Sequence, residues 1–227
     1  MTSDAEQFAS TDRTRLRRIP EQGTRNWGTL EAILDASFVC HLGVIVNGRP
    51  VVVPTSYGRR GRTLYLHGSV ASQSLRDAQR DPEVCVTITH VDGIVLARSV
   101  FNHAVNYRSV MIFGVPEILT ESKDKVAGLK ALTDHVAPGQ WDYARSPTPK
   151  ELSLTTVLRL ELSEVSVKVR EGPPDDADGP DGALDIWAGE VPLELVARAP
   201  VSDPTLGSKI QIPAHLKKLP SKWGFVA

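Results

Sequence analysis

Two short stretches of the chain carry groups suited to an anionic, flat, aromatic ligand. The first is His67-Gly68-Ser69-Val70-Ala71-Ser72-Gln73, which follows the apolar run Leu64-Tyr65-Leu66. A strand ends there, Gly68 permits close backbone approach, and serines lead into a helix. The first amides of a helix are unpaired and carry partial positive charge, which suits a phosphate. Ser69 and Ser72 offer hydroxyl donors, although N-capping alone also explains serines at a helix start. The second stretch, Asn106-Tyr107-Arg108-Ser109, opens another apolar strand. A guanidinium clamps phosphate in a bidentate way or stacks on a ring; a surface ion pair is the commoner fate of any one arginine. A third segment, Val53-Pro54-Thr55-Ser56, suits the edge of a heterocycle through its backbone groups, or is simply an edge-strand bulge.

Other chemistries find less support. His67, His90 and His103 do not share the spacing of a metal pair, and no cysteine stands beside them, so a zinc site is not expected. Asp176, Asp178 and Asp181 fit no calcium loop and lack its closing glutamate, so the acidic loop 172–182 reads as solvated. There is no Gly-x-Ser-x-Gly nucleophile elbow. There is no βαβ alternation and no Gly-x-Gly-x-x-Gly, which argues against a Rossmann dinucleotide site. His67 is the one histidine placed near a ligand, and the best candidate for a catalytic acid.

The elements that must position these groups read as follows. Asn26 is placed to cap a helix through Leu34. From Phe38 the period changes to two. Val39 to Val46, Val51 to Tyr57 and Thr63 to His67 read as antiparallel strands, with turns at Asn47-Gly48 and at Gly58 to Gly61. Pro54 cannot donate a ladder hydrogen bond, so its strand should bulge or lie at an edge there. A helix is expected over Ser69 to Arg80. Strands Val84 to Thr89 and Ile94 to Phe101 should flank a turn at Val91-Asp92-Gly93. One strand covers Tyr107 to Leu119, an amphipathic helix Lys123 to Val136, and a long strand Val157 to Val169. The pattern predicts a mainly β (α+β) protein built on a small barrel. A flexible polar arm over 1–25 precedes the barrel domain, 26–171. An acidic loop and C-terminal extension, 172–227, is expected to pack on it.

Composition narrows the function classes. A formal net charge of −1 over 227 residues gives no electrostatic case for nucleic acid or an anionic membrane. No apolar run reaches membrane-span length and the N-terminus lacks a signal-peptide core, so a cytoplasmic protein is expected. Cys40 and Cys85 both lie in alternating apolar segments and read as buried thiols.

Taken together, these motifs resemble the pyridoxamine 5′-phosphate oxidase-like flavin-binding proteins, most closely the flavin-nucleotide-binding branch with the nitroimidazole-resistance reductases. The resemblance is carried by Val39-Cys40-His41-Leu42-Gly43, Gly48-Arg49-Pro50 with Val53-Pro54, and Leu64-Tyr65-Leu66-His67-Gly68-Ser69. Asn106-Tyr107-Arg108-Ser109-Val110 with Gly114, and Trp187-Ala188-Gly189-Glu190-Val191-Pro192-Leu193, extend it. It implies a six-stranded antiparallel split β-barrel of Greek-key type with a few peripheral helices. It also implies a homodimer with FMN at the subunit interface. Carried over by residue, His67, Gly68, Ser69, Ser72 and Gln73 would hold the FMN phosphate. Val53, Pro54, Thr55 and Ser56 would lie against the ring, with Tyr107, Arg108 and Ser109 approaching from the neighbouring strand. Relatives often place a cation where this chain has Gln73. Its loss would forgo about 1.5–3 kcal/mol at most, and Arg76, one helical turn on, is the candidate substitute. The implied activity is FMN-dependent reduction of a small acceptor, such as a nitroaromatic compound. The alternatives are a flavin-binding or storage protein without turnover, and a split barrel holding haem or a deazaflavin, with His67 or His103 as axial ligand.

Overall fold

Alternation of apolar and polar residues from Val39 onward becomes a nearly unbroken antiparallel sheet. The computed structural model describes residues 6–72, 75–76, 83–207 and 209–222. Its strands are β1 (Gly23–Thr24), β2 (Val39–Val46), β3 (Arg49–Arg60), β4 (Thr63–Ser69), β5 (Val84–Leu96), β6 (Ala104–Gly114), β7 (Glu117–Ile118), β8 (Thr155–Glu161), β9 (Glu164–Arg170) and β10 (Gly189–Pro192). The helices are α1 (Trp27–Asp35), α2 (Ser122–Val136), α3 (Gln140–Tyr143), α4 (Pro149–Ser153) and α5 (Ala214–Lys222). The strand order is β1-β9-β6-β5-β2-β3-β4-β8-β7, with β10 added to β5. This is the split β-barrel. Its interior is filled from every main strand, by Leu42, Leu66, Val86, Ile88, Ile112, Leu158 and Val167 among others, while Leu30, Ile33 and Leu34 of α1 plug one end.

Several local expectations hold for the reasons given. The Asn26 side chain accepts from Thr29 N at 2.9 Å and starts α1. Asn47 and Gly48 both take positive φ, 51° and 73°, and close the β2–β3 hairpin. Pro54 pairs with His41 of β2, and β3 meets β4 only from Tyr57 onward. Its missing N–H therefore falls where β3 has a free edge.

Four local readings are corrected. Gly58 is not in a turn but inside β3, where a Cβ would lie 2.4 Å from Leu132 Cα; the glycine admits α2 to the sheet. Val91 to Gly93 is likewise not a turn. β5 runs through it, with the register slipping so that Asp92 is an extra, bulged residue. The reversal comes later, at 97–103. The expected strand Tyr107 to Leu119 ends at Gly114, before Pro116, and β7 pairs on the far side of the barrel with β8. The expected strand Val157 to Val169 is two strands, β8 beside β4 and β9 beside β6, reversing at Leu162-Ser163. No Gly or Pro marks that reversal, so periodicity alone runs straight through it.

The flanking segments are anchored. Phe8 is buried edge-on against Trp27, Phe8 N donates to Arg25 O at 2.9 Å, and Ser166 Oγ donates to Thr14 O at 2.9 Å. Residues 6–18 thus lie on the barrel where a free arm was expected. The acidic loop is not wholly solvated either. Asp176 is buried and accepts from Arg98 N at 2.6 Å and from the Arg98 guanidinium at 2.9 Å. The expected helix Ser69 to Arg80 lies largely outside the described residues, though Leu75 and Arg76 are helical. None of the described helices is long and apolar enough to cross a membrane.

Candidate functional site

The turn after β4 takes the shape its residues dictate. Val70 N donates to Leu154 O at 3.1 Å, which pins the strand end beside α4. Ser69 Oγ accepts from Ala71 N at 3.1 Å, and Ser72 N donates to Ser69 O at 2.8 Å. The Arg76 N–H donates to Ser72 O, the first helical bond, which sets Arg76 one turn beyond the serine. A Cβ on Gly68 would stand 2.6 Å from Leu75 Cδ1, so glycine lets the chain fold back on the helix. Gln73 lies outside the described residues. His67, just before the turn, has a buried Nδ1 with no hydrogen-bond partner among the described residues, and burial pushes its imidazole pKa below the usual value. An orphaned buried ring nitrogen suits a bound ligand that supplies the missing partner.

The sequence-predicted residues do not converge within one chain. β6 is not the neighbour of β3, because β5 and β2 lie between them. Directly paired residues in an antiparallel sheet share a face, and the registers therefore sort the candidates. Pro54 and Ser56 share the outer face with His41 and Val39, continuing through Thr87 and Thr89 to Met111 and Ser109. Tyr107 belongs to the same face, with Lys168 Nζ 5.9 Å from its ring centroid. Val53 and Thr55 instead face inward beside Leu42 and Cys40. The outer face is open and of mixed polarity, with Val52 64% exposed and Met111 37%.

Arg108 goes elsewhere, to a cavity of about 590 Å³ at the end of the barrel that α1 plugs. The β5 bulge is the reason. It turns Asp92 toward Arg108, whose Nε and Nη2 donate to the carboxylate at 2.8 and 2.7 Å. That bidentate bond raises the Arg108 pKa above its ordinary value. Asp92 O also accepts from Leu193 N at 3.0 Å, which brings the C-terminal segment over the cavity. Phe38, Val39, Val91, Leu193 and Leu195 give apolar walls; His90, Arg108, Glu194 and Lys222 give polar ones. His90 Nε2 lies 3.0 Å from Ile33 O. Sequence reading missed the cavity because its wall at 193–195 is remote in sequence and nothing about His90 distinguished it there. The bulged Asp92-Gly93 was the available signal, read instead as a turn.

Histidine tautomers separate the remaining candidates. His103 Nδ1 accepts from Ala97 N at 3.0 Å, so the proton of its neutral ring sits on Nε2. A ring held that way does not present an Nε2 lone pair to a metal, and His103 does not fit as an axial ligand. Cys40 is buried and its thiol is pushed up to about 12 by desolvation, so it stays protonated; Cys85 is half-buried on the outer face.

The family model described as pyridoxamine 5′-phosphate oxidase matches residues 26–169. The chain belongs to the pyridoxamine 5′-phosphate oxidase family. Among solved structures it resembles the flavocytochrome Anf3 from Azotobacter vinelandii, at 36% identity and a TM-score of 0.88, over 93% of this chain and 98% of that one. It also resembles an FAD and haem binding protein from Mycobacterium smegmatis, at 34% identity and a TM-score of 0.83, over 88% and 97%. A putative 5-nitroimidazole antibiotic resistance protein from Bacteroides thetaiotaomicron shares the fold at 22% identity and a TM-score of 0.56, over 65% of this chain and 86% of that one. No curated protein matches the sequence. Similarity to the first two extends well past residue 169, so it takes in the C-terminal segment that walls the cavity.

Proposed function

We propose that this family member is a redox protein with two cofactors, a flavin nucleotide and a haem, that passes electrons from a reduced donor to a small acceptor. One observation carries the reading. The chain matches a flavocytochrome and an FAD and haem binding protein over nearly the full length of both, at 36% and 34% identity. A match confined to the barrel would support a flavin alone.

The flavin phosphate is assigned to the β4 turn, Gly68, Ser69 and Ser72, with His67 beside it. The ring is assigned to the outer face along Pro54 and Ser56. A second copy of the chain covers that face and brings its own Tyr107 and Ser109 to the flavin, so the site is complete only in the homodimer. The exposed Val52 and Met111 on that face support such a partner. FAD is preferred to the FMN expected from the sequence, on the strength of the Mycobacterium smegmatis relative. When bound, the flavin supplies hydride or single-electron transfer, and the haem supplies a one-electron centre. The chain's own residues bind, orient and shield these groups.

The test is the absorption spectrum of protein purified from cells, with mass spectrometry of the extracted cofactors. A flavin doublet together with a Soret band is expected. Colourless protein that neither quenches FMN or FAD fluorescence nor binds haemin overturns the proposal. Steady-state assays with NADH or NADPH and a panel of nitroaromatic, quinone and dioxygen acceptors then test electron transfer. Binding without turnover supports a flavin-binding module instead.

A further inference from the structure

The cavity at the α1 end of the barrel has a histidine arranged as metal-binding histidines are. The carbonyl of Ile33 can only accept, so His90 Nε2 is the protonated nitrogen and donates to it at 3.0 Å. The lone pair is then on Nδ1, which makes no hydrogen bond among the described residues, in a ring that lines the cavity. A ligating imidazole characteristically gives its other N–H to a backbone carbonyl or carboxylate, which fixes tautomer and ring orientation.

The rest of the cavity narrows what this nitrogen would bind. No cluster of three His, Cys, Asp or Glu side chains that could hold a bare metal ion occurs among the described residues. A lone histidine ligand suits a metal that arrives with its own equatorial ligands. The walls at Phe38, Val39, Val91, Leu193 and Leu195 suit a flat apolar body, and about 590 Å³ lies within the range of about 300–1,000 Å³ typical of small-molecule sites. Arg108 uses Nε and Nη2 on Asp92 and has Nη1 left to donate. Lys222 lies at the rim. A flat apolar macrocycle bearing carboxylates matches each of these features.

We propose that this cavity is the haem site, with His90 Nδ1 as the iron ligand and Arg108 Nη1 as donor to a propionate. The inference rests on the two-cofactor reading and makes it more specific, replacing His67 and His103 as axial ligands. Leu193 and Leu195 belong to the wall, so the C-terminal extension forms part of the proposed haem site.

The experiment titrates haemin into full-length protein, first cleared of endogenous haem, and follows the Soret band. Wild type, His90→Ala, His90→Gln and His103→Ala are compared, with circular dichroism of each. The expected result is a Soret maximum shifted in both His90 variants, a haemin Kd raised at least tenfold, and a spectrum unchanged in His103→Ala. Imidazole added to His90→Ala should restore the wild-type maximum, which a merely structural role for the ring would not produce. Wild type that binds haemin with a maximum insensitive to folded His90→Ala or His90→Gln overturns the ligand assignment while leaving the two-cofactor reading in place. Wild type that binds no haemin overturns both. If His90→Ala does not fold, His90→Gln decides alone, since its amide can still donate to the Ile33 carbonyl.

Discussion

The β4 turn and the α1-end cavity are built by opposite means. The turn is made from residues adjacent in sequence, Gly68 to Ser72, and is held by short-range bonds from Ala71 N to Ser69 Oγ and from Ser72 N to Ser69 O. The cavity is assembled from the loop after α1, a bulge in β5, one residue of β6 and a segment over a hundred residues downstream. Its polar groups are held in pairs, Arg108 on Asp92 and His90 on the Ile33 carbonyl. The turn lies wholly within the matched family region, residues 26–169, whereas part of the cavity wall lies outside it.

The most severe test of that division is removal of the partner subunit. Aspartates at both Val52 and Met111 would desolvate unpaired charges in the proposed outer-face interface. The expected outcome is a monomer by light scattering and at least 100-fold weaker flavin binding. The cavity shares Val39 and Thr89 with that face but takes its other walls from elsewhere in the same chain, so haemin binding should fall far less than flavin binding. A double variant that stays dimeric would remove the outer face from the interface.

A smaller effect is expected at the turn itself. In Gly68→Val the Cβ would meet Leu75 Cδ1 at 2.6 Å and the branch would crowd the turn. Flavin affinity should drop about tenfold or more while the haem spectrum is unaffected. Equal loss of both cofactors would show that the two regions are not independent.

The unequal legibility of the two regions follows from the same contrast. Local chemistry is visible in one dimension: the Asn26 cap, the Asn47-Gly48 reversal and the glycine–serine turn each depend on neighbours within a few residues. The fold class was legible for this reason, since strand period and turn chemistry repeat along the chain. Gly58 was misread because its reason is Leu132, 74 positions away, which needs the backbone at 58 bare. Asp92-Gly93 resembles any hairpin turn until β6 and Leu193 are seen to hold it as a bulge. The β8–β9 reversal at Leu162-Ser163 carried no breaker at all. Arg108 was assigned to the flavin as one of three consecutive motif residues, Tyr107, Arg108 and Ser109. Strand alternation turns it away from the other two, to the bulged Asp92 at a cavity whose wall also includes Val39 and Thr89 of the outer face.

A third test acts on the cavity alone. Arg108→Ala removes both bonds to Asp92 and the spare donor. The pair is partly exposed, so the loss of stability should be no more than about 1 kcal/mol by thermal unfolding. Haemin affinity should fall about tenfold and flavin affinity should not change. A matched loss in both would place Arg108 at the flavin, as the sequence first suggested.

The gentlest test is pH. Burial opposes ionisation of Asp176, but hydrogen bonds from Arg98 N and Ser99 N, and then the Arg98 side chain, outweigh it and hold the carboxyl below its usual value. A folded pKa below the unfolded one contributes stability that is fully present above the unfolded value and is lost as pH falls through the folded value. The wild-type melting temperature should therefore fall as pH drops below about 4, the ordinary carboxylate value. Asp176→Asn should start lower at pH 7 and show a shallower decline. This carboxylate pins the loop from which the C-terminal segment departs toward the cavity. If the extension closes the second site, haemin release should follow the same acid transition in wild type and shift with it in Asp176→Asn, while the β4 turn, far from this anchor in sequence and in sheet order, should hold its flavin over that range. Flavin and haem leaving together at the Asp176 transition would mean that the turn, too, depends on the extension.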